Sequence, residues 1–428
     1  MLKHTYRKVA AVVVVLLSFL IAPAQNDISS PYSMYGVGLL SNVTSGAYDA
    51  MGKVGYAMQN PHLINFKNPA SYVAFDSLSF IGDVAFSIYA STLSTSETNQ
   101  KATYARPGYF AIGIPVTRHW RTSAGVKPYS NLGYSIIDSK TVENVGNVDY
   151  QYSGSGGLIQ IYWGNAFKIC KGLSIGLNAS YLFGNLSYSK SAVIEGENFF
   201  NALKNTTLDL DGIHLSAGIQ YFVNVKKKHT LGFGLVYENS VYIWARQKDF
   251  AYTYTTSSTT PSDTAGFASS RGNLKLPQSI GGGFSYQYKD KLWVTADVTW
   301  ENWERFHLST ETMRENFSNS MNYSVGLQFI PDATSSNYAK KIRLRLGARY
   351  STGHINATTD KTVTISDFSI SAGIGLPLKL ITSQSSIGIM FEYGKMGTHQ
   401  HNLLKENYFR FSLHFTLQEK WYQRVKLD

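Results

Sequence analysis

The chain has 428 residues, of which only 16% are charged, against 29 Tyr, 23 Phe and 36 Gly. Its single cysteine, Cys170, excludes a disulfide framework. The net charge of +11 falls to +8 once Lys3, Arg7 and Lys8 leave with a leader, and the remaining basic residues are scattered over turns and alternate strand positions, which points to membrane lipid or solvent and away from nucleic acid.

The first element is that leader. A basic start is followed by Val9–Ile21, apolar apart from Ser18, and by the small-x-small site Ala22-Pro23-Ala24. Residues 1–24 therefore read as a secretory signal peptide. The apolar run is shorter than the ~20 residues a spanning helix needs. No cysteine lies near the cleavage site, which argues against a lipoprotein. No later apolar run reaches helical spanning length, so the exported chain is either soluble or a β-barrel, the other structure that satisfies its backbone in lipid.

Residues 25–76 lack sustained alternation and are rich in Gly, Asn, Ser and Met, as in a folded but irregular segment. From 77 onward, fourteen strand candidates alternate with turn signals: 77–92, 103–117, 120–138, 157–169, 172–188, 207–224, 229–246, 271–288, 291–305, 319–331, 341–355, 362–377, 385–397 and 406–418. Within Lys341–Tyr350, Ile342, Leu344, Leu346, Ala348 and Tyr350 share one face at period two, and Arg343, Arg345, Gly347 and Arg349 share the other. Outward arginines would cost roughly 2–4 kcal/mol each at the lipid midplane. In a membrane barrel they must face the lumen. Phe409, Phe411, Leu413, Phe415 and Leu417 likewise oppose Arg410, Ser412, His414 and Thr416. Large and apolar outside, small and polar inside, inverts a soluble barrel. A soluble all-β protein would need a core for more large side chains than its faces could hide. The expected fold is all-β, a transmembrane antiparallel β-barrel over 77–418.

Connections support that reading, because outer-membrane barrels alternate long external loops with short periplasmic turns. Short links fall near Arg118-His119, Cys170-Lys171, Lys226–Lys228 and Lys289-Asp290, with Asp332–Lys340 as an exception in length. Long links are expected at Ser189–Thr206, Gln247–Ser270 and Phe306–Ser318. The expected location is the bacterial outer membrane with the N-terminus in the periplasm. Trp120, Trp293, Trp300 and Trp303 lie near strand ends, where aromatic belts form.

Met51-Gly52-Lys53-Val54-Gly55-Tyr56-Ala57, followed by Asn68-Pro69-Ala70-Ser71-Tyr72 before the first strand, resembles the FadL/TodX-like outer-membrane transport family. Ser30–Gly38 and the end Tyr408-Phe409-Arg410-Phe411 with Trp421-Tyr422 are similar to its Bacteroidetes branch. The resemblance implies an N-terminal hatch over 25–76 inside a fourteen-stranded wall. It also implies passive uptake of small hydrophobic, fatty acid-like compounds. One departure is that the chain continues past its last strand to Asp428 instead of ending on an aromatic.

Within the hatch, Met51, Tyr56, Met58 and Phe66 either line an apolar ligand path or only pack the plug against the wall. Asn68 is pushed toward an extended backbone by Pro69. Pro128 falls inside the third strand, where proline removes a ladder donor. The residue alone reads as a bulge; the resemblance implies a kink that opens the wall sideways. Gly281-Gly282-Gly283 suggests another bend. Arg343, Arg345, Arg349, Arg410, Glu392 and Asp297 are candidate lumen charges. The arginines could hold a ligand carboxylate or pair with carboxylates of hatch and wall.

Catalytic and metal sites are not expected. His399-Gln400-His401 lacks a clear third ligand, and Ser412 with His414 lacks an orienting carboxylate. No cofactor is implied. The rival to transport is a non-transporting accessory subunit of an outer-membrane assembly or secretion complex. For it, the tail 419–428 with Trp421, Tyr422 and Arg424 offers a contact for other outer-membrane or periplasmic subunits.

Overall fold

The computed structural model describes residues 30–420 apart from 78, 97, 195–198, 227, 256–257, 310–315, 358–362, 379–384 and 401–402. The leader 1–24, His401 and the tail residues Trp421, Tyr422 and Arg424 lie outside the described residues.

The strands are β1 (Leu39–Leu40), β2 (Ser79–Ser94), β3 (Asn99–Pro115), β4 (Trp120–Val142), β5 (Gly146–Cys170), β6 (Leu173–Ile194), β7 (Asn201–Val225), β8 (His229–Glu238), β9 (Tyr242–Thr255), β10 (Ser258–Lys275), β11 (Ser279–Tyr288), β12 (Leu292–Glu301), β13 (His307–Leu308), β14 (Ser320–Phe329), β15 (Arg343–Ser351), β16 (Asp367–Pro377), β17 (Ser386–Gly397) and β18 (Lys405–Lys420). All neighbours are antiparallel, and β18 pairs with β2 along Lys405–Lys420 to close the ring. β7 pairs with β8 and then β9, so these are one wall strand broken near Asn239. β10 and β11 are a second such pair, each matched to β9 and β8. With the two-residue β1 and β13 set aside, the wall has fourteen strands.

Alternation decides which face meets lipid. Phe391 and Phe409 are 61% and 62% exposed, whereas Glu392 and Arg410 beside them are each 4% exposed. The outer face carries Ile161, Trp163, Leu177, Leu215, Leu235, Val298, Leu346 and Ile370, all exposed, as the apolar band of a membrane barrel requires.

The wall is uneven in height. β4 to β7 run 23, 25, 22 and 25 residues, while β12, β14 and β15 run 10, 10 and 9. Crossing the bilayer takes about 9–11 residues, so the long side rises beyond it as a crest. This corrects two expected loops. Much of 189–206 and 247–270 is paired strand, with β6 reaching Ile194 and β9 and β10 forming a hairpin. Their polar outer faces hide the strand pattern, because beyond the membrane a ladder needs no apolar side.

The crest also reverses the expected polar interior. Leu132, Leu158, Leu182, Leu186, Leu208, Leu210, Ile243 and Leu274 point inward and are buried. They pack with Trp303, Phe306, Phe317, Ile355 and Ile365 from the short side into an apolar cap across the barrel mouth. Trp303, expected in an interface belt, is instead 2% exposed in this cap, and Trp293 packs inward against the cluster around Met51. Trp303 stacks on His354 at 4.0 Å between ring centroids, and its Nε1 donates to Glu301 at 2.8 Å.

Burial pushes the His354 imidazole down to about 3. A histidine held neutral when folded contributes stability that is full above its unfolded value of ~6.5 and is lost as pH falls toward the folded value. The cap is therefore expected to weaken between about pH 6.5 and pH 3. Melting temperatures in detergent should fall more steeply over this range for the natural chain than for His354→Phe; equal slopes contradict this role.

Candidate functional site

Residues Ser30–Phe75 run through the interior, since they touch inward side chains from every side of a closed wall. Gly55 N and Tyr56 N donate to Asp297 Oδ2 on β12 at 2.7 and 3.1 Å. Gly52 N donates to Ser371 Oγ on β16 at 3.0 Å. Gln220 Nε2 on β7 donates to Tyr56 O at 2.7 Å, and Ser285 Oγ on β11 to Ala57 O at 2.6 Å. Arg121 Nε on β4 donates to Phe75 O at 3.0 Å. Irregular backbone at this depth is tolerated because the wall side chains satisfy it.

Buried charges pair within this interior. Arg410 on β18 donates to Asp49 Oδ2 at 3.0 Å and, through Nε, to Glu392 Oε2 on β17 at 2.6 Å. Arg349 pairs with Asp367. Lys67 Nζ meets Asp297 Oδ2 at 3.0 Å and Lys53 O at 2.7 Å, lying over the Tyr56 ring. Arg345 Nε donates to Gln328 Oε1 at 2.8 Å. Arg343 is the first residue of β15 and is half-buried. Between the two expected roles of these arginines, the geometry gives Arg410 and Arg349 carboxylate partners inside the chain. Removing one partner of a buried pair costs about 3–5 kcal/mol.

Asn68 is extended, with φ −129 and ψ 108, and its side chain accepts from Ala70 N to start the turn Pro69–Ala74. Its Nδ2 donates to Tyr56 O at 2.7 Å, tying the two resemblance motifs together. Met51 and Met58 are packed with Ala47, Tyr48, Val54 and Leu63. Tyr56 and Phe66 border a cavity of about 160 Å³. Its other walls include Lys53, Lys67, Lys127, His214, Glu238, Glu301 and Arg349. The cavity is thus mainly polar and charged, not an apolar tunnel.

Gly281-Gly282-Gly283 does not bend the wall. β11 keeps register with β8 and β12 at all its positions. A Cβ at Gly281 would sit 2.1 Å from Tyr56 Cζ, and one at Gly283 would sit 2.4 Å from Asp297 Oδ1. These glycines make room for the inner segment. Gly347 does the same for Gly52, whose N would lie 2.0 Å from an added Cβ.

Pro128 marks a break in the wall. β3 and β4 pair only over Phe110–Pro115 against Arg121–Val126. Beyond this β3 continues to Asn99 paired with β2, and β4 continues to Val142 paired with β5. Tyr129 is skipped in the β4–β5 register, next to Pro128. Gly108 is skipped in the β2–β3 register, next to Pro107. Two prolines, each with a bulge, therefore flank the point where the strands part. Pro107 was legible as a proline inside the 103–117 strand and was missed. On its inner side the β4 edge takes β1 instead: Leu39 pairs with Asn131 and Leu40 with Ser130. Ser41 N donates to Tyr129 O at 2.9 Å, and Ser30 N to Gly133 O at 3.1 Å. The cavity lies beside this seam, lined there by Leu40–Thr44 and Lys127–Tyr129.

A family model described as BamG matches residues 1–428. No curated protein matches the chain. Among solved structures, the chain is similar to a Pseudomonas aeruginosa FadL homologue, at 13% identity over 89% of this chain and 98% of that one, with a TM-score of 0.57. It is similar to the Pseudomonas putida toluene transporter TodX at 13% identity over 93% and 100%, TM-score 0.57. For the Ralstonia pickettii toluene transporter TbuX the values are 11%, 89% and 99%, TM-score 0.56. At these identities the likeness is one of fold, and it agrees with the fold that the sequence resemblance implies.

The seating of the inner segment on wall glycines is testable. Gly347→Val should unseat Met51–Lys53 at a cost of about 1–3 kcal/mol or more, and expose Lys53 and Lys67 to trypsin while the wall stays heat-modifiable. Gly82→Val, whose Cβ would meet nothing within 4 Å, should change nothing. Equal protection of both variants contradicts the packing argument.

Proposed function

The chain belongs to the BamG family, and from that premise we propose an outer-membrane barrel that passes small hydrophobic compounds sideways through the seam at Pro107 and Pro128. The seam is the observation that carries this reading. Its paired part is six residues long, and beyond it the β4 edge is held by the inner segment instead of by β3. In this reading residues 25–76 act as a hatch, the N-terminus faces the periplasm, and Leu39–Ser41 must leave the β4 edge before a ligand exits. The similarity of the fold to toluene transporters and a FadL homologue, and the resemblance of Ser30–Gly38 to a Bacteroidetes branch, support it.

A second reading is favoured by the closed mouth. The apolar cap around Leu186 and Trp303 covers one end, and paired charges around Arg410 and Asp297 fill the lumen. A barrel closed along its axis suits a non-transporting accessory subunit that works through its outer surface and its tail.

A staple separates the two. Leu39→Cys with Asn131→Cys, in a Cys170→Ser background, should crosslink the inner segment to β4 under oxidation. Transfer predicts that uptake of a labelled long-chain fatty acid or toluene by whole cells falls on oxidation and recovers on reduction. Uptake that is indifferent to the staple and to deletion of the protein sinks the transfer reading. In that case a stable complex recovered in mild detergent, lost on deletion after Gln418, supports the accessory reading.

A further inference from the structure

We infer that the lumen cavity beneath the apolar cap binds a small zwitterion of the amino-acid class, with a carboxylate and an ammonium on the same carbon. The inference goes beyond the passage of hydrophobic compounds, because this ligand is polar and its site is built from charge.

Most charges around this cavity are matched within the chain. Asp297 pairs with Lys67, and Asp367 with Arg349. Asp49 and Glu392 together outweigh Arg410 by one charge, which Lys53 balances. Lys127 on β4 remains, with Glu238 on β8 and Glu301 on β12. Glu238 lies within electrostatic reach of both Lys127 and His214, yet among the described residues no ion pair joins Lys127 to either glutamate. Lys127 Nζ has no hydrogen-bond acceptor there and sits 5.1 Å from the centroid of the Phe66 ring. His214, 5% exposed, and Arg349, 8% exposed, leave Nδ1 and Nε without partners. The carboxylates show the opposite want. Glu238 and Glu301 flank Ser279 on one rung of the wall, two strands apart. The Ser279 hydroxyl donates to Glu238 Oε2 at 2.9 Å. Trp303 Nε1 and the Ser320 hydroxyl donate to Glu301 Oε2 at 2.8 and 3.1 Å. These donors are neutral and all use Oε2, so among the described residues Oε1 of each glutamate has no donor.

One cavity thus presents donors that need an anion and acceptors that need a cation. Trp303 belongs both to the cap and to the cavity wall, so these groups sit under apolar cover, where charges act more strongly than in water and unmet polar groups are costly. Single-charge occupants leave half of the site unmet. A phosphate or a fatty acid head would serve Lys127 but would bring its negative charge beside Glu238 and Glu301. A simple amine would serve the glutamates and leave Lys127 and Arg349 Nε unmet. A zwitterion serves both, with its ammonium donating to Oε1 of the glutamates and its carboxylate accepting from Lys127. Size narrows the class. The cavity holds about 160 Å³, and one of about 150 Å³ takes a benzene ring, so the ligand has about six non-hydrogen atoms. Alanine, glycine and serine are of this size.

Equilibrium dialysis of the full barrel in nanodiscs tests this, with radiolabelled glycine, L-alanine and L-serine as probes and empty nanodiscs as background. Saturable binding of at least one probe is expected. Propionate, which lacks the ammonium, and ethylamine, which lacks the carboxylate, should compete at least about tenfold less well than the unlabelled amino acid, since each forgoes charge-assisted hydrogen bonds. Lys127→Met and Glu238→Gln should each weaken binding by a similar factor, with heat-modifiability verifying that they fold. If neither variant folds, the competition on the natural chain decides alone. No saturable binding of any of the three, competition by propionate or ethylamine equal to that of the amino acid, or unchanged affinity in a folded variant would overturn the inference. Binding is read on the isolated barrel and hydrophobic uptake on whole cells, so failure of one is distinct from failure of the other.

Discussion

A strand in hydrocarbon has no water to meet its N–H and C=O groups, so every one of them must find a partner in protein. This constraint organises the molecule. It forces the fourteen wall strands into a closed ring, with β18 returning to β2. It also sets where side chains go. With the backbone satisfied by its neighbours, outward positions such as Phe391 and Phe409 meet lipid, and inward positions such as Glu392 and Arg410 meet each other. The seam between β3 and β4 is where the constraint is met least directly. There Pro107 and Pro128, each beside a bulge, end the ladder, and a short piece of the inner segment takes over one edge.

The interior obeys the same rule by two different routes. At membrane depth an irregular chain is held by polar side chains, with Asp297 receiving two backbone N–H groups and an ammonium, and Gln220 reaching two carbonyls. Wall glycines such as Gly234, where an added Cβ would sit 1.9 Å from Tyr56 O, and Gly347 bring the two backbones close enough for this. Above that level the crest encloses an ordinary apolar core, so the upper barrel behaves like a soluble β-domain continuous with a membrane one. The lumen is consequently packed along its axis, and the cavity beside Lys127 and Tyr129 opens the question of function at the wall and not at the mouth.

Much of this was legible in the sequence. The period-two faces of Lys341–Tyr350 and of Phe409–Leu417 fixed which arginines turn inward, and the fourteen strands appear within a few residues of their expected places except where polarity masked them. The crest was hidden because Ser, Asn and Thr on its outer face break the apolar alternation that marks a strand at membrane depth. Gly281–Gly283 misled for a related reason. Glycine in a strand signals either a bend or a close approach, and only the position of Tyr56 decides between them. Trp303 belonged to a cap whose other members, Leu186 and Phe317, are distant in sequence. Pro128 was readable from its own chemistry, but its consequence needed the matching break at Pro107 and the docking of Leu39–Leu40.

Backbone hydrogen exchange in nanodiscs tests the central claim most directly, because protection reports pairing residue by residue. The account predicts that the amides of β3 above Phe110 exchange, on average, far faster than those of β16 and β17 at the same depth. Uniform slow exchange around the whole ring would show that β3 and β4 are zipped along their length, and would contradict the seam on which the transfer reading rests.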